Sequence, residues 1–490
     1  PYQSKVLYEV ADQWKDFTNT VEMPEFKFSA TTATIESAAG STANIELTTV
    51  LSWTALSYQT WLTVSPVSGS TNTTLIFTAE ENTSHLPRYA TVTVSAAGVP
   101  SQSIFITQFG VIKTVDNTAG GLFAALTTEE LSTITRLVIT GTIDARDFKT
   151  MRDNMPVLAE IDISGATIAA YSGTEGTYPS NWGSYNYLAN TVPDYAFYNP
   201  GTSISKISLT SFLLPSTVTT IGYQSFYGCT GLTSIVIPSS VTSIRDWAFY
   251  NCIGLTSIVI PSSVTSIGDY AFYGCTGLTS VTIPSSVTSI GNNAFGGCTG
   301  LTSVNFSATS SLTSIGEAAF LSCTGLTSVT IPSMVTSIAG YAFHSCTGLT
   351  TVTIPFSVKS IGQQAFYNCT GLISIYAQPV TPVNLSSSPS VFGGVNTATC
   401  FLHVPYQSKV LYEVADQWKD FTNIVEMSEF KFSATAATIE SAGGSTANIE
   451  LTTALSWTAL SYQPWLTVSP VSGSTNTTLV FTAEENTSYL

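Results

Sequence analysis

The feature that most constrains this chain is a period. Cysteines stand at positions 229, 252, 275, 298, 323, 346 and 369, so their spacings are 23, 23, 23, 25, 23 and 23 residues. Self-similarity at a fixed short period is the signature of a solenoid, in which each unit contacts only its neighbours. A typical unit reads Leu278-Thr-Ser-Val281-Thr-Ile283-Pro284-Ser-Ser-Val287-Thr-Ser-Ile290-Gly291, then Asn-Asn-Ala294-Phe295-Gly-Gly-Cys298. Its apolar residues at i, i+3 and i+5 give a strand, a turn and a short return segment. One such coil cannot bury its own apolar side, so the coils must stack, with strands ~4.8 Å apart. Stacking predicts inward ladders of Leu232, Leu255, Leu278, Leu301, Leu326 and Leu349, with Ile237, Ile260, Ile283, Ile331 and Ile354 beside them. Val264 and Ile267 typify a second short extended segment, and Ala271, Phe272 and Cys275 close the coil. Pro261, Pro284 and Pro332 follow the first strand, where a proline ends pairing cheaply.

A second repeat is longer. Residues 1–86 and 405–490 are related at an offset of 404 and differ at only eight positions. The chain is therefore one 404-residue period plus an overlap, which implies a tandem array. It begins with Pro1 rather than Met, shows no signal peptide or membrane span, and is expected to be a cut fragment of a longer polypeptide.

Charge is scarce and unevenly placed. Only 9% of the 490 residues are charged while 44% are hydrophobic, which excludes a disordered tail protein. The net charge of −16 divides into −6 for residues 1–86, −6 for 405–490, −4 for 87–199 and zero for 200–404. With no basic surplus to displace counterions from phosphates, nucleic acid is not an expected partner.

The unit IPSSVTSIGDYAFYGCTGLTSVT resembles the BspA-like leucine-rich repeats of bacterial surface proteins. The resemblance spans about residues 120–427, including an N-terminal flank and a C-terminal cap similar to those of the family. It departs where residues 171–192 insert a Tyr/Gly/Ser-rich loop and where Pro200 stands in place of a repeat cysteine. The alternating apolar runs FKFSATTATI, ANIELTT, LSWTAL, TTLIFTAE, ATVTVSA and SIFITQF predict a sandwich of about seven antiparallel strands. They are similar to a BACON domain, an immunoglobulin-like fold whose family name implies carbohydrate binding. The expected fold class is thus mainly β: a right-handed leucine-rich-repeat solenoid with 23-residue coils plus immunoglobulin-like β-sandwich modules. The expected domains are a cap remnant at 1–24, a sandwich at 25–110, the solenoid at 111–404, its cap at 405–427 and a truncated second sandwich at 428–490. The second sandwich stops before the counterparts of two strands, so an exposed strand edge or a head-to-tail contact is expected there.

Catalytic chemistry is hard to find. The three histidines, at 85, 344 and 403, are isolated, and His344 occupies a position that holds Tyr250 or Tyr273 in neighbouring coils. Asp246 and Asp269 sit at equivalent positions of adjacent coils, close enough for a glycosidase pair, but capping of the return segment is the favoured reading. Glu80 and Glu81, repeated as Glu484 and Glu485, read as a solvated loop. Neither a zinc motif nor a calcium loop is present, and no cofactor is implied. The cysteines cannot all pair along parallel rungs and read as small buried apolar residues.

What remains is surface. Val236, Val259, Thr282, Asn305, Thr330 and Thr353 form an outward ladder without charge. On the return segments Trp247, Tyr270 and Tyr341 precede the small alanine, and Tyr227, Tyr250, Tyr273 and Tyr367 follow the buried phenylalanine. Trp247, Tyr250, Tyr270, Tyr273 and Tyr341 are the candidate ligand-binding residues, set against packing of the convex side as the plainer alternative. Trp53, Tyr58 and Trp61 read as sandwich core, with no surface aromatic platform in that module. The resemblance implies a non-enzymatic, secreted or cell-surface adhesin-like protein that binds host or matrix proteins. A glycan-binding module and a structural stalk are the alternatives.

Overall fold

The computed structural model describes residues 25–428, 430–432, 437–440, 442–453, 457–461, 463 and 465–485. The expected cap remnant at 1–24 lies outside them. Two compact units are formed, one of residues up to Val241 together with Cys252–Leu255, the other of Thr242–Asn251 and the chain from Thr256.

In the first unit a sandwich precedes the coils. One sheet has the order Phe26–Phe28, Thr42–Thr49, Thr73–Ala79, Leu62–Ser65. The facing sheet runs Thr32–Ile35, Gln102–Gln108, Arg88–Ala96, Trp53–Ser57, Ser68–Gly69. Nine strands replace the seven expected, and Thr32–Ile35 pairs parallel with Gln102–Gln108, so the module is not wholly antiparallel. Alternating residues from both sheets, among them Trp53, Phe77 and Ile106, fill the core together with Trp61 from the turn before Leu62–Ser65. Tyr58 does not join them: it is 72% exposed, a correction that follows from its place just past the end of Trp53–Ser57.

The sandwich continues into a parallel sheet of Lys113–Asn117, Arg136–Ile143, Glu160–Asp162, Ser211–Leu213 and Ser234–Val236. Helix Ala145–Asp153 covers its start, and the buried Asp147 carboxylate accepts from the backbone N–H groups of Gly120, Asp144 and Leu122 at 2.7, 2.8 and 2.9 Å. Here the coil pattern carries one substitution, one 23-residue period before Cys229. Leu209 donates its N–H to the Lys206 carbonyl just as Leu232 donates to that of Cys229, so Lys206, not Pro200, stands on the cysteine rung. The insertion between them is taken up by the hairpin Tyr198–Asn199 with Ile204–Ser205. Lys206 is buried and its ammonium donates to the Met155 carbonyl.

The second unit holds the regular coils. A seven-stranded parallel sheet runs from Ser280–Ile283 to Asn423–Glu426, and two-residue rungs from Ser243–Ile244 to Ser360–Ile361 form the return ladder. The two additional residues behind the single 25-residue spacing fall between Phe306 and Ser314, since Ile283 still pairs with Phe306 and Ile290 with Ile315. The predicted leucine and isoleucine ladders are buried in both units. Phe249, Phe272, Phe295, Phe320, Phe343 and Phe366 stack face to face with centroids 5.2–5.5 Å apart and planes within 8°. Phe392 and the edge of Trp418 end the column, and Trp418 and Tyr412 are anchored to the Val383 and Pro379 carbonyls. The second sandwich copy forms the sheet Phe430–Phe432, Thr446–Thr453, Thr477–Ala483, Leu466–Ser469 and the pair Trp457–Thr458 with Ser472–Gly473.

All eight cysteines are free and buried. From Cys275 to Cys369 each rung thiol donates to the carbonyl of a phenylalanine, as Cys298 does to Phe272 at 3.1 Å. Burial pushes the Cys298 and Cys369 thiols up to about 12, so they are inert hydrogen-bond donors, not nucleophiles. The denatured chain without reductant is expected to titrate as eight thiols and the native chain as almost none. Fewer than about five in the denatured state would mean disulfides and would contradict the ladder.

Burial brings the Lys206 amine down from 10.5 to about 8. A cation with a depressed folded pKa costs stability fully below that value, and the cost fades as pH climbs toward the unfolded value. Lys206→Met is therefore expected to raise the melting temperature at pH 7, with the gain shrinking between pH 8 and 10. A gain that is independent of pH would contradict this account of Lys206.

Candidate binding surface

The surface is built by an unusual backbone. In the second unit Trp247, Phe249 and Asn251 donate their N–H groups to the carbonyls of Asp269, Ala271 and Tyr273 one coil on, at 2.7–2.8 Å. Tyr270, Phe272 and Gly274 repeat this with Asn292, Ala294 and Gly296. Aiming alternate N–H groups the same way puts two residues per coil in the left-handed region. Trp247, Tyr270 and Tyr341 occupy the first position, with φ of 60°, 55° and 59°. For a bulky L residue this costs roughly 1–2 kcal/mol, offset here by the hydrogen bonds it permits.

Four of the five candidate residues come together. Trp247 stacks on Tyr270 at 4.2 Å and 16°, and Tyr250 on Tyr273 at 5.1 Å and 7°. The pairs also touch across the coil, Trp247 to Tyr250 at 4.9 Å and Tyr270 to Tyr273 at 5.6 Å. All four rings are partly exposed. Burial and the neighbouring phenols raise the Tyr250 pKa, so its hydroxyl stays a neutral donor and acceptor. Gly296 ends the platform: a Cβ there would lie 2.8 Å from the Tyr273 ring, so the missing side chain lets that ring lie over the next coil.

Tyr341 is not part of this group. Coils carrying Asn293 with Gly296, and Ala318 with Leu321, break the ring ladder, and Tyr341 belongs to a smaller cluster with His344 and Tyr367. His344 lies on Tyr367 at 5.1 Å and 17°, the ladder role expected for it, and burial lowers its pKa.

The acids beside the platform are structural. Asp246 Oδ1 accepts from the Asp269 N–H at 2.9 Å, Asp269 Oδ1 from the Asn292 N–H at 2.6 Å, and Asn292 Oδ1 from the Glu317 N–H at 2.8 Å. The capping expected for Asp246 and Asp269 is thus real but acts between coils rather than within one return segment. Among the described residues no three His, Cys, Asp or Glu side chains gather as metal ligands, and no helix is long and apolar enough to cross a membrane.

Two aromatic surfaces lie outside the candidate set. On the strand face Tyr376 stacks on His403 at 4.4 Å beside Phe401, where Phe401–Val404 joins the sheet. On the sandwich Tyr58, Tyr89 and Phe105 are exposed and line a shallow cleft, so that module does carry surface rings. The alternation of Arg88–Ala96 and Gln102–Gln108 already marks Tyr89 and Phe105 as outward.

A parallel, leucine-rich solenoid with cysteine and phenylalanine columns defines the class of the protein. Residues 190–311 and 305–389 match the BspA type leucine rich repeat region, and residues 25–110 and 425–490 match the viral BACON domain. The chain is similar to a leucine rich cell surface protein of Faecalibacterium prausnitzii A2-165, at 28% identity over 50% of this chain and 64% of that one, with a TM-score of 0.31. It is also similar to a leucine rich repeat protein of T. pallidum, at 30% identity over 37% of this chain and 71% of that one, with a TM-score of 0.27. A leucine-rich repeat protein of Bacteroides ovatus shares 21% identity over 60% of this chain and 78% of that one, with a TM-score of 0.29. No curated protein matches the chain.

If the acids serve only the backbone, Asp269→Asn is expected to leave the melting temperature nearly unchanged, because the amide oxygen still accepts. Asp269→Ala should lose about 1 kcal/mol. Equal destabilisation by both, read by denaturant unfolding, would show that the charge itself matters.

Proposed function

We propose that this chain is a non-enzymatic binding protein of the bacterial surface or its surroundings. Its solenoid presents Trp247, Tyr250, Tyr270 and Tyr273 to a host or extracellular-matrix protein. The observation that carries this reading is the preformed four-ring platform on coils of zero net charge. Rings already stacked lose little freedom on binding, and aromatic anchors in a packed setting are what protein hot spots are made of. In a tandem array of the kind expected from the repeat at an offset of 404, such sites would recur along one molecule and avidity would raise weak affinities. The sandwiches at 25–110 and from 428 serve as spacers between solenoids in this reading.

The platform is tested by changing Trp247, Tyr250, Tyr270 and Tyr273 together to Ala and measuring binding to immobilised fibronectin, fibrinogen and collagen. Binding of the parent chain to at least one, lost in the variant with the cooperative melt retained, is the expected result. Unchanged affinity in the variant retires the platform, and no binding by the parent chain retires the matrix-protein reading.

A further inference from the structure

The insertion at 171–187 forms a hairpin that the proposed platform does not use. Tyr171–Gly173 pairs antiparallel with Tyr185–Tyr187, and the turn Ser180–Trp182 is followed by Gly183 at a φ of 103°. Three tyrosines hold the hairpin in place. The Tyr171 hydroxyl accepts from the Glu175 N–H at 3.2 Å, the Tyr187 hydroxyl accepts from the Tyr178 N–H at 2.9 Å, and the Tyr178 hydroxyl donates to Asp194 at 2.9 Å. Beneath them the buried Tyr195 meets the Tyr178 ring edge-on at 4.8 Å, and Arg152 donates to the Thr177 and Tyr195 carbonyls at 2.8 Å.

Trp182 and Tyr185 differ from these three. Among the described residues neither the indole N–H nor the Tyr185 hydroxyl has a hydrogen-bond partner. Trp182 is 50% exposed yet fixed by contacts with the Tyr178 and Tyr195 rings at 6.3 and 6.4 Å. Tyr185 lies flat on Tyr178 at 3.7 Å and 9°. Exposed Asn181 adjoins Trp182 in the turn and supplies an amide, while Asn186 alternates to the other face of the strand from Tyr185 and its amide oxygen accepts from Ser172 at 2.7 Å. The two arginines beside the hairpin are both committed, Arg146 to Asp144 and over the Tyr171 ring, Arg152 to Asp153.

We propose that Trp182 and Tyr185 form a binding site for a neutral, pyranose-based glycan. The apolar C–H face of a sugar ring covers an aromatic face, and its hydroxyls meet the unclaimed indole N–H, the phenol and the Asn181 amide. A weakly held sugar yields too little energy to order its own site, so rings fixed in advance are what such a ligand requires. The exposed area of one indole and one phenol is far below the ~800 Å² that each side of a stable protein interface covers, which favours a small ligand over a protein. Glu175 and Asp194 disfavour a sugar acid. This site is separate from the Trp247 platform, and the two stand or fall independently.

The test is affinity electrophoresis of the full chain in gels containing xyloglucan, galactomannan, mixed-linkage β-glucan or desialylated mucin, beside Trp182→Ala and Tyr185→Ala. The parent chain is expected to be retarded by at least one of them, Trp182→Ala to lose about tenfold in affinity, and Tyr185→Ala to lose less. An unchanged melting temperature shows that an exposed ring, not the fold, was removed. No retardation in any gel, or equal retardation of parent and Trp182→Ala, overturns the proposal. Loss of matrix-protein binding in Trp182→Ala with glycans ignored assigns the hairpin to a protein ligand and also overturns it.

Discussion

Everything in the coils depends on where their backbone hydrogen bonds go. A 23-residue coil is too small to satisfy its own peptide groups, so it hands them to the next coil along three lines: the strand, the two-residue rung and the left-handed corner. The corner is the demanding one. Its N–H groups face one way only if two residues per coil take positive φ, and each non-glycine residue there costs energy that the hydrogen bond must offset. Side chains then join the same scheme. Cysteine thiols bond to phenylalanine carbonyls, and Asp246, Asp269 and Asn292 bond to N–H groups of the following coil, so polar atoms serve the stacking as the apolar columns do.

This explains why a chain with so little charge still carries a structured surface. Groups that would serve chemistry elsewhere are engaged in holding coils together: thiols are raised far above neutrality by burial, and the paired acids face backbone N–H groups. What the stacking leaves partly exposed is its row of aromatic corners. Because Trp247 and Tyr270 are fixed by backbone N–H groups that reach into the next coil, their rings inherit the rigidity of the solenoid. With zero net charge between residues 200 and 404, the proposed recognition there would rest on contact shape and ring faces rather than long-range steering.

Much of the fold is legible in the sequence because the repeat states it many times over. Seven cysteines in register identify the coil, and burial of Leu278, Ile283 and Phe295 follows from where they fall in the unit. Reading fails where a position occurs once. Lys206 stands one 23-residue period before Cys229, yet a charged residue on an apolar rung is easily passed over, and the bond from Leu209 to its carbonyl fixes the assignment. Tyr58 looks like core beside Trp53 and Trp61, but the strand ends at Ser57 and releases it. Ladder logic places Trp247, Tyr250, Tyr270 and Tyr273 side by side, as the structure has them, whereas Tyr341 lies apart because Gly296 and Leu321 interrupt the ladder before it. The rings of the 171–187 hairpin have no repeat to align with, so their packing is visible only in three dimensions.

The central claim is that the aromatic corners are rigid because their backbone is bonded from coil to coil. Amide hydrogen exchange of the intact chain tests it most directly, at the N–H groups of Trp247, Phe249, Tyr270 and Phe272. Exchange as slow as that of the strand amides of Ser280–Ile283 and Ser303–Phe306, lost in one cooperative step with them in denaturant, is the predicted result. Exchange at the rate of the exposed sandwich loops, independent of the strands, would contradict it.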